Sequence, residues 1–203
     1  MASGDTNVSI CNQALVLLGS DTISSFSVCN QIYETGKKQA LSLYPWSFAL
    51  TKTQLARSST TPTNEWAYQY VMPSTAISST PLQVYNSSAT RILPIQNYEI
   101  LYTSSGPAIA TNEENIYIDY ISSVITEGLM PSYFVQLLVY MMAWHLAEPV
   151  TDQITKSDYW RKVAVGTESE NGRGGYFRQA TNIDGRGKPN YAIVDFPLTD
   201  VRD

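Results

Sequence analysis

M-P-S-Y-F-V-Q-L-L-V-Y-M-M-A-W-H-L-A-E, Met130 to Glu148, is the stretch on which the reading of this chain turns. From Tyr133 to Ala147 every residue is apolar or aromatic except Gln136 and His145. Pro131 suits the first turn of a helix, where its missing N–H costs no intrahelical bond. Pro149 is expected to stop that helix, because its ring clashes with the preceding turn. A helix that is hydrophobic all round has no face to give to water and must be covered on several sides. At about 1.5 Å per residue the run spans roughly 22 Å, short of the ~30 Å of a bilayer core, so the cover is protein. It comes from the chain's own elements or from a neighbour.

The 203 residues suit one domain, or one domain carrying an insertion. Charged residues make up 15% of the chain, against a usual ~25%. Ser, Thr, Asn and 14 tyrosines replace them. Two readings fit: the interior of a protein–protein interface, or a neutral polar surface. The net charge of −5 is unevenly placed. Between Ser58 and Pro149 Arg91 is the one basic residue, against Glu65, Glu99, Glu113, Glu114, Asp119, Glu127 and Glu148. Such an acidic middle repels a phosphate backbone, which suits a wall along which DNA slides without sticking. The two cysteines, Cys11 and Cys29, follow no metal spacing and read as buried reduced thiols of an intracellular protein. The first basic residue is Lys37 and the run Ala14–Leu18 is short, so neither a signal-peptide n-region nor an h-region is expected.

Outward from the central run the pattern changes twice. Asp5 or Thr6 can cap a first helix with Val8, Cys11, Ala14, Leu15 and Leu18 on one face and Gly19 as its stop. Ser20–Ser25 reads as a connector, Ser27 as the cap of a second helix through Tyr44, and Trp46, Phe48 and Ala49 as an apolar corner before the polar run Thr51–Gln54. Trp66, Tyr68, Tyr70 and Met72 then alternate strictly, as in a half-buried strand. Further strands are expected at Leu82–Tyr85, Arg91–Ile95, Glu99–Tyr102 and Ile116–Ile121. Beyond the central run Thr151 or Asp152 can cap a fourth helix through about Glu170. After it Gly172, Gly174, Gly175, Gly185 and Gly187 argue against further regular structure. Tyr176, Phe177, Tyr191, Ile193, Val194, Phe196 and Leu198 recur through this tail, so an apolar arm that docks elsewhere is expected.

The expected fold class is α+β. A four-helix bundle core (1–57 and 124–171) carries an inserted small antiparallel β region (58–123) and ends in an extended C-terminal arm (172–203). Trp46, Phe48, Leu138, Met142 and Trp144 are its expected core.

Sites for chemistry are few. His145 is the one histidine and, with Glu148, gives an H-x-x-E without the second histidine of a zinc helix. No G-x-S-x-G elbow or phosphate loop occurs: Gly185-Arg-Gly-Lys188 is followed by Pro189. No catalytic residue, cofactor or metal is expected. The one enzymatic alternative is a glycan hydrolase built on Glu113, Glu114 and Asp119, since such chemistry needs paired carboxylates.

I-C-N-Q-A-L-V-L-L-G-S-D-T-I-S-S-F (Ile10–Phe26) resembles the I-x-N-x-A-L-x-x-L-G … I-x-S opening of the tail tubular protein A-like family, the head-to-tail adaptors of tailed bacteriophages. L-Y-P-W-S-F-A (Leu43–Ala49) is similar to that family's W-x-F-A element. W-A-Y-Q-Y-V-M-P-S-T (Trp66–Thr75) resembles its Y-x-x-P-x-D strand, with Thr75 where the acidic residue usually falls. The apolar helix, Pro149 and a capped following helix match in order, so most of residues 8–170 is covered. The resemblance implies a non-enzymatic virion protein of the tail, assembled in the host cytoplasm. It implies a ring of twelve subunits under the portal, a β region facing the tail nozzle protein, and an arm reaching the portal. Genomic DNA would pass through the channel without specific binding, and no membrane is involved. On this reading the docking arm uses Tyr176, Phe177, Arg178, Tyr191, Ile193, Phe196 and Arg202. The loops Asn86–Thr90 and Ser104–Asn115 would meet the nozzle through Asn86, Ser87, Ser88, Ser105, Asn112 and Glu113. The surplus of apolar residues is then hidden by neighbours in the closed ring.

Overall fold

Thr6 starts the first helix by a reciprocal cap: its Oγ1 accepts from the Ser9 N–H and the Ser9 Oγ accepts from its own N–H. Two donors that a helix start leaves orphaned are thereby satisfied. The structure, a computed structural model, describes residues 4–20, 22–62, 65–88 and 93–187. Helix α1 (Asn7–Leu18) buries Ile10, Cys11, Ala14, Leu15 and Leu18 and ends on Gly19 in the left-handed conformation. Val8, expected on the buried face, is exposed.

Helix α2 (Thr22–Ser42) begins five residues before the expected cap at Ser27, so most of the supposed connector is helical. Serine and threonine cost a helix only a few tenths of a kcal/mol each, which tertiary packing overrides. The cysteines depart further from expectation. Cys11 and Cys29 are bonded to each other, with Cα atoms 5.9 Å apart, joining α1 to α2. Both are indeed buried, but they are a disulfide and not free thiols. Side-chain spacing on two separate helices does not reveal such a pair in the linear chain.

Between α2 and the next helix lie six strands: β1 (Leu50–Gln54), β2 (Tyr68–Val71), β3 (Gln83–Tyr85), β4 (Tyr98–Thr103), β5 (Gly106–Thr111) and β6 (Tyr117–Ile121). They form two antiparallel three-stranded sheets, ordered β1-β6-β3 and β2-β5-β4. Leu55, Tyr70, Met72, Val84, Ile109, Ile116, Ile118 and Tyr120 make a small core of their own. Two strands were not foreseen. The polar run at 51–54 is β1, exposed and half-buried in alternation, with Lys52 opposite Asp119 and Thr53 opposite Ile118. The expected loop Ser104–Asn115 contains β5, the buried centre of its sheet. Within the expected strand Arg91–Ile95, the described residues 93–95 form none, although the Ile95 N–H donates to Val84 O.

Helix α3 (Ser132–Thr151) is the apolar run, with Pro131 as its N-cap. Pro149 lies inside its last turn instead of ending it. There the ring forfeits one backbone bond, and the helix closes two residues later with the Asp152 N–H on Glu148 O at 2.9 Å. Helix α4 (Ile154–Val165) is shorter than expected, giving way to a 3-10 turn at Glu168–Glu170.

The region from Gly172 to Gly187, expected to begin an extended arm, instead folds back as helix α5 (Gly175–Gly185). The glycines that argue for looseness serve close packing. A Cβ on Gly175 would lie 2.6 Å from Val163 O, and one on Gly166 would lie 2.6 Å from Gly174 Cα. Only glycine lets the chain reverse so tightly on the end of α4, and Gly175 also has φ +54°.

Helices α1, α2, α4 and α5 all pack on α3. Phe134, Leu137, Leu138, Met141, Met142, Ala143, Leu146 and Ala147 are thereby sealed from solvent within one chain. The expectation that neighbours must hide this helix is therefore corrected: the chain hides it alone. Among the described residues no helix is long and apolar enough to cross a membrane.

Candidate interaction surfaces

Trp46 marks the corner where the bundle meets the sheets. It is fully buried, its Nε1 donates to Ala40 O at 3.0 Å, and its ring meets Tyr44, Phe48, Tyr133, Phe134 and Phe177. Aromatic pairs at these separations add to the area they bury. Phe48 and Trp144 are partly buried against the same core, while Leu138 and Met142 lie inside it.

One charged group is set into this corner. Asp184, near the end of α5 and 4% exposed, accepts from the Ser47 N–H, the Ser47 Oγ at 2.6 Å and the Tyr133 hydroxyl at 2.7 Å. A buried carboxyl group is costly unless hydrogen-bond donors face it, and here several do. Burial, and then the bond to Asp184, raise the Tyr133 pKa, so this phenol remains a donor. Asp184 thus ties the last helix to the chain just before β1. Nothing in the linear sequence near Asp184 announces that role, since its partners are 137 and 51 positions away.

A second charged group, the buried Lys37 of α2, pairs with the partly buried Glu127 ahead of α3. Lys37, 5% exposed, donates to Glu127 Oε1 at 2.7 Å, and the Tyr33 hydroxyl lies 3.4 Å from the same oxygen. Burial opposes ionisation of Glu127, but hydrogen bonds from Lys37 and the backbone outweigh it and hold its pKa below the usual range. A depressed carboxylate stabilises the fold above its unfolded pKa of about 4.3 and ceases to as pH falls through its folded value. Lys37→Met is therefore expected to lower the Tm clearly at pH 7, with the gap from wild type shrinking below about pH 4. Thermal melts from pH 7 to pH 2.5 check this; a gap constant with pH would refute it.

His145 is half-buried, 2.8 Å from Gln39 Oε1 and stacked on Trp144. Burial lowers its pKa, which favours the neutral ring of a packed histidine.

Of the expected arm, Tyr176 packs edge-on against Tyr140, Phe177 is buried in the bundle and Arg178 is exposed. Tyr176 and Phe177 are accordingly anchors of α5 on its own chain. Tyr191, Ile193, Phe196 and Arg202 lie outside the described residues. Comparison with protein-family models found no match, and comparison with curated proteins found none.

The expected nozzle residues do not all share one surface. β6 and β1 run together from Leu50 and Ile121, next to the bundle, to Gln54 and Tyr117 at the far tip. Asn86–Ser88 follow β3 at that tip, where Tyr85 is opposite Tyr117. Asn112 and Glu113 precede β6 there, and the Asn86 amide lies 3.3 Å from Glu113 Oε2. Ser105 sits in the β4–β5 turn, at the other end of the six-residue β5. At ~3.4 Å per residue that separates it from Asn112 by about 20 Å.

The three carboxylates weighed for hydrolysis are engaged apart from one another. Asp119 pairs with Lys52 at 2.9 Å. Glu113 takes the Asn86 amide, and Glu114 lies 3.4 Å from the Tyr68 hydroxyl. Glu113 and Glu114 thus serve hydrogen bonds near the surface, and the buried Asp119 serves an ion pair.

Proposed function

We propose that this chain is a structural head-to-tail adaptor of a tailed bacteriophage, a non-catalytic ring subunit that joins portal to tail nozzle and prolongs the DNA channel. The carrying observation is the serial order of the resembling segments. I-C-N-Q-A-L-V-L-L-G runs from the first turn of α1 to its Gly19 cap, W-S-F-A turns the corner from α2 into β1, the Tyr-rich strand is β2, and the apolar helix follows the β insertion. Each segment has a packing duty, so their joint presence follows from one architecture. The ring does not follow from surplus apolar surface, because α3 is covered within the subunit. Subunit contacts would instead use Val16 of α1 and Ile154 and Tyr159 of α4, which stay exposed. The acidic tip residues Glu113 and Glu114 suit a wall that DNA does not adhere to.

The purified chain mixed with its phage's portal ring is expected to add a coaxial layer of density in electron micrographs. Portal rings that remain bare at micromolar protein would refute the reading. Deletion of residues 188–203, which spares α5, is expected to keep the fold and abolish that binding. A shortened chain that still caps portal would refute the arm.

A further inference from the structure

We infer that the outer edge of β4 is a docking strand for an extended segment of a partner protein, one with aliphatic residues at alternate positions and lysine or arginine between them. Three observations converge on this edge. First, β4 is six residues long, and among the described residues only β5 pairs with it, so none of them forms a ladder along its other side. Sheet edges of this kind accept a further strand by main-chain hydrogen bonding.

Second, the edge is bordered by an apolar groove. A space of about 590 Å³ runs between β3 and β4, lined by Leu82, Val84, Pro94, Ile95, Tyr98 and Ile100 among others. Leu93 beside it is 84% exposed. Tyr98 and Ile100 stand on the inner face of the sheet, since they oppose Thr111 and the buried Ile109. An added strand would therefore drop every second side chain into this groove.

Third, the intervening side chains would meet acid. Glu99 alternates with Tyr98 and Ile100, opposite Ala110, and also borders the groove; Trp66 Nε1 donates to its Oε2 at 2.9 Å. Its Oε1 has no partner among the described residues. From Ser58 to Thr155 Arg91 is the one lysine or arginine, against Glu65, Glu99, Glu113, Glu114 and Asp119 on the β region. A partner with outward-facing cations is thus attracted at a distance and paired at Glu99, and one with outward-facing carboxylates is repelled. The inference stands independently of the adaptor reading.

The test titrates the full chain with three capped hexapeptides: alternating valine and lysine, alternating valine and glutamate, and the valine–lysine peptide with its ladder nitrogens methylated. The expected result is slowed amide exchange across residues 98–103 with the valine–lysine peptide. Its Kd should be about five- to tenfold below that of the glutamate peptide, the effect of exchanging a cross-strand attraction for a repulsion. The methylated peptide should lose binding at least tenfold. Glu99→Lys, at an exposed site, should reverse the preference. Unchanged exchange in β4 at millimolar peptide, or equal binding of the methylated peptide, would overturn the inference. Tighter binding by a peptide of residues 188–203 would also overturn it, making the occupant this chain's own terminus.

Discussion

Truncation after Asn171 is expected to leave a chain that no longer folds cooperatively. The cut removes α5, and with it Phe177, Ala180 and Asp184, all buried in the bundle. Phe177 meets Trp46 edge-on with ring centres 6.1 Å apart, and Tyr176 meets Tyr140 at 5.3 Å. Loss of a buried phenylalanine alone costs about 3–5 kcal/mol. The exposed Ser47 hydroxyl and the half-buried Tyr133 hydroxyl would lose the carboxyl group they donate to, at about 0.5–1.5 kcal/mol net for each bond. Together these approach the whole ~5–15 kcal/mol stability of a domain. Point variants separate the contributions. Phe177→Ala should lower stability by about 3–5 kcal/mol, whereas the exposed Arg178→Ala should stay within about 0.5 kcal/mol of wild type. Urea unfolding followed by circular dichroism reads both. A truncated chain with native helicity and an unchanged midpoint would mean that α5 is a detachable arm after all.

That case also shows where sequence and structure part company. The central helix, the Thr6 cap, the Trp46 corner and the alternating Tyr68–Tyr70 strand were legible because each depends on local periodicity or on a cap within a few residues. Strand β5 was not. G-P-A-I-A-T opens on two breakers and holds two alanines, residues depleted from strands, and it is a strand because β2 and β4 flank it on both sides. Strand β1 was hidden for the opposite reason: T-K-T-Q is polar, as an edge strand facing water can be. Helix α5 was lost to its glycines, whose role depends on the backbone of α4 lying within 3 Å. Among site residues, Asp184 and Lys37 owe their importance to partners 51 to 137 positions away from them. Acidic charge was readable as composition, but only the strand register shows Glu99 on an open edge beside an apolar groove.

Reduction of the Cys11–Cys29 bond is the second large expected effect. The bond closes a loop of sequence separation 18. Cross-linking a loop of that size restricts the unfolded chain by an amount equivalent to about 3 kcal/mol at 25 °C. For a chain of this length that corresponds to a fall in Tm of roughly 6–12 °C. The double variant Cys11→Ala, Cys29→Ala should show a similar drop, somewhat enlarged by the small cavity left between α1 and α2. Because both sulfurs are buried, mild reductant added to the folded protein should act slowly, and reduction should become fast only where the chain unfolds. Melting curves with and without reductant check the magnitude, and alkylation of the denatured, unreduced chain checks the bond. Two alkylated thiols per chain would mean that the cysteines are free. The α1–α2 hairpin they join contains the whole I-C-N-Q … S-S-F segment on which the adaptor resemblance begins. Loosening it should therefore weaken the bundle that carries the β region while leaving the small core around Tyr70 and Ile109 packed. Amide exchange after reduction is accordingly expected to rise in α1 and α2 before it rises in β5.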